Sequence, residues 1–285
     1  MRWRTGRRSR NVEDRRGMRV SRRGLAGGGI GTVVLVLLAL YLGVDPAVIM
    51  QGLPQGEPAP HSNGPYRPSA AEQELADFTS VVLADTEDTW KAIFHRAGRT
   101  YREPTLVLFS GAVRSACGMA GAAVGPFYCP PDQNVYIDLS FFGELSSRFG
   151  APGDFAQAYV VAHEVGHHVQ TLLGISDQVR SMQHGASRTQ ANAAQVRMEL
   201  QADCFAGIWA NNAHRARRIL EAGDVEEGLR AASAIGDDRI QKQTQGYVVP
   251  DAFTHGSSEQ RVRWFRRGLE SGNPNDCDTF NAADL

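Results

Sequence analysis

His163, Glu164 and His167 lie in the run HEVGH, an H-E-x-x-H pattern that on a helix brings two imidazoles to one metal ion. Successive helical residues are about 100° apart, so histidines four positions apart lie on the same face. Zinc held by three protein groups keeps a fourth position for water, whose pKa falls to about 7. The pattern therefore predicts a Zn²⁺ centre for hydrolysis, with Glu164 accepting the proton of that water. The alternative is a helix whose histidines are only hydrogen-bonded.

The residues around this motif predict a single helix. Asp154 follows Pro152 and Gly153 and is a candidate N-cap, and apolar residues then recur at helical spacing. Gly174 is the expected end. A helix of this length would carry both histidines one turn apart.

A third ligand is expected from a second helix, because two histidines and a water leave the zinc coordination incomplete. A proline-free stretch of helix formers, roughly 190–220, carries Glu199 and Asp203 on one face. We expect Glu199 to bind the metal. Asp203, one turn further on, would accept the outer N–H of a ligating histidine and fix its tautomer. The alternative is an exposed acidic face with no metal role.

Several longer runs resemble a known family. They are HEVGHH, ELQADCFAGIWA, AIGDDRIQ and FTHGSSEQRVRWF, together with MRWR and NVEDRRG near the start of the chain. They resemble the bacterial family of putative neutral zinc metallopeptidases, and the resemblance extends over essentially the whole chain. It implies a zincin-type peptidase in which His163, His167 and Glu199 bind zinc and Glu164 is the base. It implies no particular substrate.

An apolar stretch near the start predicts attachment to a membrane. Residues 25–44 contain no charge, and twenty residues suffice for a helix to cross a bilayer core of about 30 Å. Ten arginines lie among the first 23 residues, so the positive-inside rule predicts a cytoplasmic N-terminus and an exported remainder. We expect a basic cytoplasmic segment at 1–23 and a single transmembrane helix at 24–44 of the inner membrane. A cleaved signal peptide is the alternative.

The rest of the chain is expected to form a linker and one domain. Residues 45–69 are rich in proline and predict an extended linker. Residues 70–285 predict an α+β, zincin-like domain, mainly helical with a small sheet, in the periplasm. Beyond the apolar stretch the chain is acidic on balance, which argues against nucleic-acid partners.

Four cysteines lie in the part expected to be exported, where disulfides form. Cys117 and Cys129 flank a glycine-rich stretch, which favours a local bridge and leaves Cys204 with Cys277. Sequence alone permits three connectivities, and two buried free thiols are the alternative for the second pair.

Three shorter segments complete the expected architecture. Residues 71–97 predict a helix, residues 105–109 a strand, and the alternation over 135–139 a second strand with one buried face. In zincin-like peptidases an edge strand in the place of 135–139 pairs with an extended substrate. An ordinary sheet strand covered by a loop is the alternative.

A histidine near the end of the chain is a candidate oxyanion donor. Ser257 and Gln260 form a capping box that opens a final helix, and His255 lies just before it. The alternative is a turn histidine without a catalytic role. His168 lies about 100° around the helix from His167, so it is expected to pack or meet solvent.

These features predict a membrane-anchored zinc metalloendopeptidase that hydrolyses peptides or unfolded proteins. One alternative is an inactive or structural zinc-binding assembly module, in which His168 or His255 would complete a closed coordination shell. Another is a zinc hydrolase that cleaves a cell-wall amide. The sequence identifies no protein partner.

Overall fold

The computed structural model describes residues 1–18 and 66–285. Within these ranges the helices are α1 Ala70–Arg96, α2 Ser140–Ser147, α3 Asp154–Leu173, α4 Ile175–Gln183, α5 Arg188–Arg217, α6 Asp224–Ala234, α7 Asp237–Gln245 and α8 Ser258–Ser271. The strands are β1 Val12–Asp14, β2 Thr105–Phe109, β3 Ala112–Ser115, β4 Gly118–Gly121, β5 Phe127–Cys129 and β6 Asn134–Asp138. The predicted α+β class, mainly helical with a small sheet, is confirmed.

The main sheet has the strand order β1-β2-β6-β5, and β3 and β4 form a separate hairpin. The strands β1, β2 and β6 are parallel, whereas β5 runs antiparallel to β6. Alternate side chains of β2 pack into two different hydrophobic clusters, because successive side chains of a strand point to opposite faces. Leu106 and Leu108 join the main helical core, and Val107 and Phe109 pack with Val113 and Cys129.

The position of β6 corrects one prediction. The strand expected at 135–139 lies between β2 and β5, so it is internal and cannot add a substrate strand along its side. The two edges of this sheet, among the described strands, are the three-residue strands β1 and β5, and β5 is the neighbour of β6. Sequence periodicity predicts a strand but contains no information about its neighbours, which explains the error.

The first residues of the chain form part of the folded domain. Met1–Arg16 and the residues from Pro68 onward form one compact unit. The strand β1 pairs with β2 in register, with Val12 opposite Leu106 and Asp14 opposite Leu108. The prediction of a separate basic segment at 1–23 is therefore wrong for residues 1–16.

Charge explains why this N-terminal arm, residues 1–16, lies against α1. Arg7 donates hydrogen bonds to Glu87 and Asp88 at 2.9 and 2.8 Å, and Arg8 donates to Asp77 at 2.8 Å. Glu87 is buried, so its carboxylate needs these partners to offset its lost hydration. Arg7 and Arg8, two of the arginines that suggest membrane topology in the sequence, thus neutralise acidic side chains of a helix.

Strand pairing has a consequence for topology. Backbone hydrogen bonds between β1 and β2 cannot form through about 30 Å of hydrocarbon. A single crossing that separates residues 1–16 from 68–285 is therefore incompatible with this sheet. The predicted span at 24–44 and most of the predicted linker lie outside the described residues.

Among the helices that are described, none combines the length and apolarity needed to cross a bilayer.

Three helices of the folded unit, α3, α5 and α8, approach one another closely. A Cβ added to Gly166 of α3 would lie 3.0 Å from the carbonyl oxygen of Ala202 in α5. A Cβ on Gly207 of α5 would lie 2.1 Å from the carbonyl oxygen of Phe265 in α8. Glycine at these positions lets α3, α5 and α8 pack backbone to backbone. The three helices that carry the site are thus held at short distance.

Candidate metal centre

The two helices predicted to bear the site form as expected. The helix α3 ends at Gly174, whose left-handed conformation caps it, although Gly153 rather than Asp154 occupies the N-cap. The helix α5 begins with a capping box between Ser187 and Gln190. It includes both acidic residues that the sequence selects.

The three proposed ligands converge in the interior. Nε2 of His163 lies 3.2 Å from Oε2 of Glu199, and Nε2 of His167 lies 3.4 Å from the same oxygen. In a tetrahedral zinc site with bonds of about 2.1 Å, ligand atoms lie roughly 3.4 Å apart. All three side chains are buried. The donor set and its spacing therefore fit a Zn²⁺ ion.

The outer nitrogen of His163 faces Asp203, the residue predicted to orient it. The Nδ1 atom lies 2.8 Å from Oδ1 of Asp203, and Tyr159 donates a hydrogen bond to the same oxygen. A carboxylate accepts hydrogen bonds, so Nδ1 carries a proton, and Nε2 is the nitrogen that would bind a metal ion beside Glu199. This is the geometry that orients a ligating histidine.

Arg261 of α8 completes this group and was not selected from the sequence. Its Nε donates to Oδ2 of Asp203 at 2.8 Å and its Nη2 to Oδ1 at 2.9 Å, a bidentate pair. Burial raises the pKa of Asp203, but Arg261 and His163 outweigh burial and lower it to about 2. A signal was present, since Arg261 lies within one turn of Trp264 and Phe265 on the buried side of α8.

The second histidine of the predicted ligand set, His167, has a different partner. Nδ1 of His167 lies 2.9 Å from the amide oxygen of Gln170, three residues later in α3. Both histidines therefore donate from Nδ1 and present Nε2 to Glu199. Gln170 was also not selected from the sequence.

Glu164 lies between His163 and His167 in the helix and lines the same cavity. Its side chain is buried, and burial raises its pKa. A carboxylate whose pKa moves toward neutrality is a better proton acceptor from water than an exposed one. The position therefore suits the predicted base.

The cavity has a volume of about 630 Å³. Besides the three ligands and Glu164, its walls include Phe127, Tyr128, Phe141, Phe149, His255 and Arg261. Aromatic side chains thus surround a polar centre, an arrangement typical of binding sites for small molecules or peptide side chains.

The structure brings His255 to this cavity. Its Nδ1 lies 3.2 Å from Oδ1 of Asp237, whose other oxygen accepts the backbone N–H groups of Thr254 and His255. The hydrogen bond to Asp237 is the main cause that raises the pKa of His255. The imidazole is half-exposed, with Nε2 free of protein partners in the described part of the chain.

His168 is excluded as a ligand by its contacts. Its Nε2 donates to the carbonyl oxygen of Arg102 at 2.6 Å, and its Nδ1 lies 3.1 Å from the hydroxyl of Tyr128. Burial lowers its pKa to about 4, so the ring is neutral at physiological pH. His168 is fully buried, so it packs in the interior, one of the two outcomes expected for it. Within the described ranges, the ligand cluster consists of three residues and has no fourth protein ligand.

Both disulfides favoured by the sequence are present. Cys117 pairs with Cys129 and links the β3–β4 turn to the end of β5. Cys204 pairs with Cys277 and links α5 to the tail that follows α8. Cys204 directly follows Asp203, so this second bridge lies next to the metal centre.

Comparison with known proteins agrees with this geometry. A model of the family described as putative neutral zinc metallopeptidase matches residues 1–280. The chain belongs to this family. The match includes the N-terminal arm, in agreement with its place in the fold.

Relatives occur in distant bacteria. The chain is 51% identical over 291 residues to the uncharacterized protein YpfJ of Escherichia coli K12, which covers 98% of this chain and 99% of YpfJ. It is 41% identical over 262 residues to the uncharacterized protein Rv2575 of Mycobacterium tuberculosis H37Rv, covering 87% of this chain and 86% of Rv2575. Neither name states an activity. No solved structure matches the chain.

The contact between Arg261 and Asp203 generates a prediction. Replacing Arg261 by lysine keeps the charge but removes the bidentate geometry that orients Asp203. We expect Arg261→Lys to weaken zinc binding about 10-fold or more, as loss of outer-shell partners does. Competition titration with a chelating dye measures this. Arg263→Lys is the matched control, because Arg263 is exposed and its partners in the described part of the chain are Glu259 and the terminal carbonyl of Leu285. Equal zinc affinity in both variants would contradict the role.

Proposed function

We propose that the protein is a zinc-dependent peptidase that hydrolyses internal peptide bonds. The observation that carries the proposal is the convergence of His163, His167 and Glu199 at one buried point, with Glu164 beside them in an open cavity. When bound there, Zn²⁺ supplies a Lewis acid that polarises a carbonyl and lowers the pKa of water to about 7. Three protein ligands and an accessible cavity favour this over a closed structural site, which has four.

Glu164 is the proposed general base and acid. Its carboxylate accepts a proton from the attacking water and then delivers it to the leaving amine. Burial raises the pKa of Glu164, which supports both transfers, since the group must bind and release a proton in each cycle. The roles of the neighbouring histidines are to hold the ion, not to move protons.

His255 is the proposed donor to the developing oxyanion. Asp237 holds Nδ1, so Nε2 is left to donate to a substrate oxygen when the ring is protonated. The raised pKa of His255 extends the pH range over which the ring is protonated. This assignment keeps the role that the sequence suggests and adds Asp237 as its partner.

The edge strand β5 is the proposed binding surface for the peptide backbone. Neighbouring residues of a strand point to opposite faces, yet both Phe127 and Tyr128 line the cavity. The cavity therefore borders the free edge of β5, where the backbone is accessible, and not only one face of the strand. An extended substrate can pair with that side through main-chain hydrogen bonds, a mode that suits peptides or unfolded protein segments.

For localisation we propose attachment to the cell membrane through residues 24–44, with entry and exit on the same side instead of a single crossing. The N-terminal arm and residues 68–285 would then lie on the same, extracytoplasmic side, because they share a sheet. Two disulfides support an oxidising compartment. This replaces the expected cytoplasmic N-terminus.

Labelling of single cysteines tests this topology. All four native cysteines are in disulfides, so an added cysteine is the sole free thiol. We expect a membrane-impermeant maleimide to label Arg10→Cys and Asp284→Cys equally in spheroplasts, since both positions are exposed. Labelling of Asp284→Cys alone, with Arg10→Cys reacting only after lysis, would support a single crossing and contradict the proposal.

Replacement of Glu164 tests the proposed chemistry. Glu164→Gln removes the base without removing a ligand, so the variant should bind one zinc per chain. We expect its rate of peptide cleavage to fall about 10²–10⁴-fold, the usual contribution of a general acid–base. Metal analysis and hydrolysis of unfolded casein give the two readouts. Glu259→Gln, on the exposed surface of α8, is the control. Unchanged cleavage by Glu164→Gln would disprove the mechanism.

The dyad of His255 and Asp237 generates a pH prediction. The pKa of His255 is raised in the folded protein, so the donor is present at low pH and is lost as pH rises through that pKa. Asp237→Asn removes the charge that raises it. The alkaline limb of kcat/KM should therefore move to lower pH, with little change in the acid limb. Asp238→Asn is the control, since Asp238 contacts Ser258 and not His255. An unmoved alkaline limb in Asp237→Asn would contradict the role of His255.

A further inference from the structure

We propose that Gln170 and Gln201 are positioning residues that connect the ligand His167 to the Cys204–Cys277 disulfide. The oxidised bridge would then strengthen metal binding, through a chain of hydrogen bonds that ends at Cys277. The inference rests on the proposed function only in taking His167 as a metal ligand.

The orientation of the Gln170 amide is determined by its partners. Its Nε2 donates to the carbonyl oxygen of Met198 at 2.7 Å and to Oε1 of Gln201 at 3.0 Å. A carbonyl oxygen only accepts, so the amide nitrogen must face Met198. The amide oxygen is consequently the atom that faces Nδ1 of His167, at 2.9 Å. An oxygen acceptor there requires the proton on Nδ1, which leaves Nε2 of His167 for a metal.

The same argument applies to Gln201. Its Nε2 donates to the carbonyl oxygen of Cys277 at 2.9 Å, so its Oε1 is the acceptor for Gln170. Three hydrogen bonds therefore run in one direction, from His167 to Gln170, to Gln201 and to the backbone of Cys277. Neither glutamine can turn its amide without placing two donors or two acceptors together.

The chain of hydrogen bonds from His167 to Cys277 is buried, so each of its members depends on its protein partners. Gln170 is 0% exposed, Gln201 6% and Cys277 1%. Water cannot readily replace a lost partner at such positions, so an unpaired amide carries the full cost of its desolvation. Removing one member should therefore disturb its neighbours and, through them, the ring of His167.

The disulfide holds the last acceptor in place. Cys277 lies in the short 3₁₀ helix Pro274–Cys277, in the tail beyond α8, and the bridge ties it to Cys204 in α5. Gln201 lies one turn before Cys204 on the same helix. After Cys277, the tail is held by the hydrogen bond from Thr279 to the carbonyl oxygen of Arg197. Without the bridge this contact still holds the tail near α5. The hydrogen bond from Gln201 to the carbonyl of Cys277 should therefore weaken but still form.

Zinc affinity measured on the full chain tests the proposal. We expect Gln170→Leu to weaken zinc binding about 10–100-fold, the usual effect of losing the partner of a ligating histidine. Gln201→Leu and the double variant Cys204→Ser/Cys277→Ser should weaken binding in the same direction by a smaller factor. The matched control is Cys117→Ser/Cys129→Ser, which removes the other disulfide and no member of the hydrogen-bond chain. Its zinc affinity should equal that of the parent.

Reduction of the protein adds a coupling test. A phosphine reductant, which adds no zinc-binding thiol to the solution, should lower the zinc affinity of the parent to that of Cys204→Ser/Cys277→Ser. It should leave Gln170→Leu nearly unchanged, because the connection to His167 is already absent there. If reduction and Gln170→Leu weaken binding by independent factors that multiply, the connection does not exist. Gln201→Leu keeps both cysteines, so it decides the question if the double serine variant does not fold.

A spectroscopic readout separates positioning from general stabilisation. Nitrogen NMR of the metal-free parent, above the pH at which the site histidines titrate, should show His167 with its proton on Nδ1. In Gln170→Leu a mixture of tautomers is expected. A purely structural role would lower the melting temperature and leave the tautomer unchanged, which would overturn the proposal. These measurements do not use peptide cleavage, so an inactive protein that keeps the coupling would refute only the proposed function.

Discussion

The burial of the Glu199 carboxylate between two imidazoles is the constraint on which the rest of this structure depends. An isolated carboxylate in the interior is very costly, and here Glu164 and Asp203 lie close by as well. Arg261 compensates one of these charges. Burial disfavours protonation of His163, yet Asp203 and Glu199 raise its pKa to about 9. In the metal-free protein protonated histidines can thus balance the acids, and binding of a divalent cation would release those protons.

The packing of three helices serves this constraint. The helix α3 supplies two imidazoles, α5 the carboxylate, and α8 the guanidinium, and none of them could place these groups alone. Glycine at positions 166 and 207 removes the side chains that would separate the helices. The polar groups then reach each other directly across short distances. The glycine in the middle of the H-E-x-x-H run therefore has a packing role that its position in the motif does not reveal.

Sequence reasoning succeeded where the signal is local. A helix repeat of 3.6 residues determines that His163 and His167 share a face, and that Glu199 and Asp203 share another. It failed where partners are distant in the chain. Nothing in the alternation over 135–139 indicates that β5 lies outside β6, and a three-residue strand such as β1 has no periodicity to detect. Gln170 and Gln201 escaped notice because a neutral amide has no distinctive pattern until its partners are known.

The N-terminal arm shows how one composition can support two physical explanations. Arginines before an apolar stretch are typical of a cytoplasmic flank, but in the fold Arg4, Arg7 and Arg8 pair with acidic residues of α1. The distance in sequence between the arm and its partners adds little to the cost of docking, because loop-closure entropy grows only with the logarithm of length. Exposed ion pairs contribute little each, so the pairing of buried Glu87 with Arg7, Ser9 and Asn11 must account for more of the docking. The number of arginines alone therefore cannot assign the arm to a compartment. The buried carboxylate of Glu87, in contrast, needs the arm beside α1 to supply its hydrogen-bond partners.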